Sequence, residues 1–150
     1  MKHRLAFVAL TLASTLGFAD GMAEHIRVDH AHVRLMPPAA PNSAAFLTLH
    51  NSGERAAQLT GAASPAARTV ELHDHIRDGD IMRMRRIDGG IAIPAGGNAT
   101  LAPGGKHIML IGLTAPLQAE TVVEITLSFA DGSARTVAVP VQPMVRHAGH

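Results

Sequence analysis

The sequence predicts an all-β domain, an antiparallel sandwich or barrel. Two observations lead there. No long stretch keeps an apolar period of 3.6 residues, and short apolar runs recur between Gly, Pro, Asn and Asp clusters. About eight such runs, spaced 8–12 residues apart, fit neither a bundle nor a βαβ fold.

The elements follow in order. "HIRVDHAHVRL" alternates Ile26 and Val28, then Val33 and Leu35. "PPAAPNSAA" reads as a proline-rich loop between the first two strands, and "AAFLTLHNSG" as a strand ending in a turn. "RTVELHDHI" and "IMRMRRI" flank the turn "RDGD". "GIAIPAGGNATLAPGG" gives a short strand, a turn and another strand, and "HIMLIGL" a nearly continuous apolar strand. "TVVEITLSFADGSARTVAVPVQ" is a hairpin around Asp131-Gly132, the strongest turn signal in the chain.

The opening residues do not fit this pattern. "MKHRLAFVALTLASTLGFADGMA" begins with Lys2 and Arg4, runs apolar from Leu5 to Phe18, and then places small residues at Gly17 with Ala19 or Gly21 with Ala23. That three-part order predicts a signal peptide over 1–23, cleaved near Ala19 or Ala23. The apolar run is too short and too soft for a transmembrane anchor, so no stable membrane insertion is expected; a retained N-terminal anchor is the alternative reading. The β-domain is then expected over 24–142, with a flexible tail over 143–150 carrying His and Met.

Composition narrows the function. The net charge is +1, and loss of Lys2 and Arg4 with the leader leaves −1. With no Trp and no Tyr, the chain lacks both the basic field and the stacking platforms of a nucleic-acid binder. Absence of Cys excludes thiolate metal sites, thiol nucleophiles, disulfides and a blue-copper centre.

Ten His and seven Met stand out instead, and several fall into pairs. Residues i and i+2 of a strand share a face. His73 with His75, Met82 with Met84, and His107 with Met109 therefore form three same-face pairs. The "RDGD" turn lets the first two pairs face each other, and the third arrives on another strand. Imidazoles and thioethers together make a neutral, soft donor set that favours Cu(I) over Zn, Mg or Ca. Thioethers also survive where a free thiol would oxidise. Read singly, each Met is core filler and each His a hydrogen-bonded surface residue. The pairing without Cys is what points to metal.

These motifs resemble the PCu(A)C copper chaperones of the periplasm. "VRLMPPAAPNSAAFLTLHNSG", "VELHDH", "IMRMR", "IPAGG", "LAPGGKHIMLIGL" and the "LSFADG" hairpin match that family in order over most of the chain. The family pattern is His, ten residues, Met, twenty-one residues, His-x-Met. Here ten residues separate His73 from Met84 and twenty-two separate Met84 from His107. The extra residue falls in "IDGGIAIPAGG", a turn. His32 stands where many members carry Trp.

The resemblance implies a cupredoxin-like Greek-key fold and Cu(I) ligands at His73, Met84, His107 and Met109, with His75 and Met82 as second choices. It implies a periplasmic, non-enzymatic carrier, a monomer that passes copper to a recipient such as a cytochrome c oxidase subunit or another copper chaperone. Met144, His147 and His150 would suit a weaker tail site for Cu(II) as well as Cu(I), with His25, His30 and His32 as further candidates; a solvated tail is the plain alternative. Two other functions compete: a zinc-binding or copper-storage domain, and a superoxide dismutase-like enzyme suggested by "HDHIRDGD". The dismutase lacks support in its missing His ligands and disulfide.

Overall fold

A computed structural model describes residues 21–144. A 3-10 turn over Met22–His25 leads into ten strands: β1 Ile26–Arg34, β2 Asn42–Asn51, β3 Ala57–Ala63, β4 Ala67–Asp78, β5 Ile81–Arg86, β6 Ile91–Ile93, β7 Asn98–Leu101, β8 His107–Leu113, β9 Val122–Phe129 and β10 Ala134–Gln142. The fold is all-β and cupredoxin-like, as the sequence predicts. The segment not foreseen is β3, "AQLTGAA", whose Ala and Gly carry little strand propensity. β2 also begins earlier than expected, at Asn42.

Hydrogen-bonded neighbours run β5-β4-β8-β2-β1-β10-β9-β3-β6, with β7 also on β2. The ladder is antiparallel except where β1 meets β10, with Val33 opposite Val141. β5 and β6 are its ends, so it does not close.

One core is drawn from both halves of the ladder. Leu47, Leu49, Ile108 and Leu110 come from one half, Leu59, Ile125, Leu127 and Val139 from the other. β9 shows the usual alternation, with Val123, Ile125, Leu127 and Phe129 inside. β5 shows none: all six of its residues are exposed. It hangs on β4 through a tight turn in which Gly79 takes φ +63°, a region that favours glycine.

The start of the described chain is tied down by side chains of the β9–β10 turn. Met22 N–H donates to Asp131 Oδ2 at 2.7 Å and Ala23 N–H to Ser133 Oγ at 2.9 Å. Ala23 is buried, and Gly21 lies so close that a Cβ there would meet Ser133 Cβ at 2.8 Å. Met22 and Ala23, just before residue 24, are thus in contact with the β-domain. Among the described residues no helix is long and apolar enough to cross a membrane.

Candidate metal centre

The candidate residues lie on the face of β5-β4-β8-β2 turned away from the core. Leu72 and Ile108 point into the core cluster, so their strand neighbours His73 and His107 point the other way. Register decides who meets whom. His73 stands opposite His107 across β4–β8, and Glu71 opposite Met109. Across β4–β5, Met84 stands opposite His75, while His73 faces Arg86. Both histidines of the His-x-His pair thus share the face, but Met84 is directly beside His75 and diagonal to His73. The extra residue of the β5–β6 connection does not disturb this, because β8 is fixed by its own ladder with β4.

Three imidazoles come together. The His75 ring lies 5.1 Å from that of His107, and the His73 ring 5.8 Å, centre to centre. A cavity of about 210 Å³ opens beside them, with Met84, His75, His107 and Met109 on its wall. His73 is not part of that wall; it packs behind His107.

Each ring has one nitrogen engaged by an acceptor. His107 Nδ1 donates to the Gly105 carbonyl at 2.9 Å, and His75 Nδ1 to the same oxygen at 3.3 Å. His73 Nε2 donates to Glu71 Oε2 at 2.8 Å, and Arg86 holds the other carboxylate oxygen at 3.7 Å. A carbonyl or carboxylate only accepts, so these nitrogens carry the protons. In the neutral ring the opposite nitrogen then offers a lone pair. Two such nitrogens, His73 Nδ1 and His107 Nε2, are buried without a hydrogen-bond partner. That is the arrangement of a metal-ligating histidine, in which an outer carboxylate or carbonyl fixes the tautomer and leaves the other nitrogen for the ion.

The environment favours the neutral form of His107. It is 2% exposed, and its pKa is lowered, first by burial and then by the neighbouring His75, His73 and Arg34, against the raising effect of the Gly105 bond. The Arg34 guanidinium sits 5.2 Å over the Phe46 ring, and Phe46 lies 6.2 Å from His107.

The second-choice residues separate. His75 is on the cavity wall. Met82 stands opposite Arg77, exposed and off the wall. Met144 is exposed at the end of the described chain, and His147 and His150 lie outside the described residues. His32 lies against Phe46, ring centres 5.3 Å apart, and is not on the cavity wall. Sequence reasoning missed Arg34, Met36 and Phe46, which reach the cavity from β1, its following loop and β2. Their spacing in the chain carries no signal, because register alone brings them in.

The LpqE-like family matches residues 26–141. The chain belongs to the LpqE-like family. A protein of Leifsonia xyli subsp. xyli named "Putative lipoprotein Lxx21020" is 45% identical over 100 residues, 67% of this chain and 60% of its own length. The chain therefore spans less than two thirds of that relative. Among solved structures, the copper-bound PCuAC domain from PmoF2 superposes with a TM-score of 0.68 at 24% identity, over 85% of this chain and 97% of that domain, and shares its fold. The Cu(I) form of DR1885 from Deinococcus radiodurans superposes with a TM-score of 0.63 at 36% identity, over 77% of this chain and 76% of that one.

Proposed function

We propose that this protein is an exported carrier of Cu(I), held by His73, Met84, His107 and Met109, with His75 as the alternative to His73. The observation that carries the reading is the buried, unpartnered Nε2 of His107 on one cavity wall with the thioethers of Met84 and Met109, and a second such nitrogen, His73 Nδ1, on the strand opposite His107. Among the described residues no group of three or more His, Asp or Glu is placed to hold an ion. A site here needs the methionine sulfurs, which favours Cu(I) over zinc. The Cu(I) form of DR1885, 36% identical to this chain, supports the same cargo.

Neutral donors leave the bound ion at a single positive charge, which a half-buried site tolerates. Thioethers hold Cu(I) weakly, and Met84 is 45% exposed on an edge strand. Release proceeds by ligand exchange: an incoming donor displaces Met84 first, and the imidazoles let go later. No substrate bond is broken, so the role is carriage and not catalysis. The recipient is a copper protein outside the cytoplasm, such as a cytochrome c oxidase subunit under assembly or another chaperone. The protein acts as a monomer released into the periplasm after cleavage of its leader. The lipoprotein name of the relative fits export. The His/Met tail is a weaker site for either copper oxidation state.

Titration with a Cu(I)-specific competing chelator tests the reading on wild type and on Met109→Leu and His107→Ala. Both variants should lose Cu(I) affinity by at least about tenfold, about 1.4 kcal/mol, with Zn(II) affinity little changed for Met109→Leu. Wild-type Cu(I) binding in both would overturn the site and leave a zinc-binding or structural domain in its place.

A further inference from the structure

The cavity wall holds a third thioether that the proposed ligand set leaves unused. Met36 follows Leu35, which packs against the core and whose N–H donates to the Gln142 carbonyl at 2.8 Å. Met36 turns the other way, onto the cavity wall with Arg34 two residues before it. The backbone that carries it is stiff. Pro37 confines Met36 to extended geometry, and the Pro37 carbonyl accepts from Ala40 N–H at 2.9 Å to close a turn. Met36 is not part of the core cluster, so gap-filling in the core does not account for it.

Position along the ladder gives the sulfur a use. Both Met84 and Met36 line the cavity, Met84 from β5 at one end of the run β5-β4-β8-β2-β1 and Met36 just after β1 at the other. β8, which carries His107 and Met109, lies between them. We propose that Met36 is an accessory Cu(I) donor that takes over from Met84, so that the ion has two neighbouring positions sharing His107 and Met109. The proposal rests on the reading that Cu(I) occupies this cavity. Moving between positions breaks one Cu–S bond as another forms. Oxidation state and charge do not change, and no proton moves, because thioethers do not titrate. When an incoming donor displaces exposed Met84, copper is held by Met36 and not lost to solvent.

A double-mutant cycle on the full protein, read as Cu(I) affinity against a competing chelator, tests this. Met→Leu conserves volume, so the fold should persist, and an unchanged unfolding midpoint confirms it. Met36→Leu alone should weaken Cu(I) by no more than about threefold and Met84→Leu by about tenfold, but the pair by more than about a hundredfold, beyond the product of the two. The ¹³C-labelled methyl signal of Met36 should also shift on adding one equivalent of Cu(I), together with those of Met84 and Met109. Losses that simply multiply, with a Met36 methyl that stays put while the other two move, would overturn the accessory donor and leave the copper site intact. If none of the three methyls moves, both the inference and the copper reading fall.

Discussion

Two hairpins of this domain are built on similar turns and serve opposite ends. β9–β10 closes through Asp131-Gly132 and buries every second residue of β9. β4–β5 closes through Asp78-Gly79, yet its outer strand buries nothing, although it carries Ile81, Met82 and Met84. Apolar content therefore does not report burial here. On β9 the apolar side chains hold the two halves of the ladder together. On β5 Met84 lines the cavity of the candidate site, and the strand can change without touching the core.

The largest effect should break the first hairpin alone. Leu127→Ala should cost about 2–5 kcal/mol in urea unfolding, because Leu127 is fully buried in the core. Met84→Leu should move that midpoint by under about 1 kcal/mol while weakening Cu(I). Equal destabilisation by both would mean that β5 belongs to the core and would dissolve the contrast.

Next in size is Glu71→Gln. The Glu71 carboxylate fixes His73 through Nε2, so the change should lower Cu(I) affinity about 10–100-fold in a chelator titration. An unchanged affinity would transfer the ligand role from His73 to His75, whose proton is held by Gly105 instead.

A smaller effect follows from His107. Burial lowers its pKa in the folded chain, so the unfolded chain binds the proton more readily. Above about pH 6.5 both states are neutral there and His107 adds no slope. As pH falls below that value, stability should decline, and the decline should stop once pH passes the lowered folded value. Urea midpoints between about pH 5 and 8 measure it, and His107→Gln should remove this part of the slope.

The smallest effect belongs to Ile81→Thr. Ile81 is 57% exposed on β5, so stability should change by under about 0.5 kcal/mol and Cu(I) affinity not at all. A clear loss of Cu(I) binding would extend the site along the whole hairpin.

The contrast also explains what could be read in advance. β9–β10 was legible because alternation and turn chemistry agree. His107 and Met109 were legible as a same-face pair because period 2 is local. His73 and His75 could not be separated by that period, which puts both on one face. Only the ladder shows that His75 stands beside Met84 and His73 beside His107. Arg34, Met36 and Phe46 come from elements distant in the chain, so no local pattern announces them. β3 was lost because its Ala and Gly residues look like loop until β6 and β9 pair with it.

The Met22–Ala23 contact with the β9–β10 turn makes the domain sensitive to where a leader would be cut. Asp131 is held below the usual carboxylate range by the Ser133 hydroxyl and the Met22 N–H, so it keeps its charge as a fixed anchor. A signal cut after Ala23 would pull a buried residue out of the domain and strip Asp131 and Ser133 of the N–H groups they hold. A cut after Ala19 spares them all. The intact mass of the exported protein should therefore correspond to a chain starting at Asp20, and a mass starting at Glu24 would show that the domain folds without its clasp.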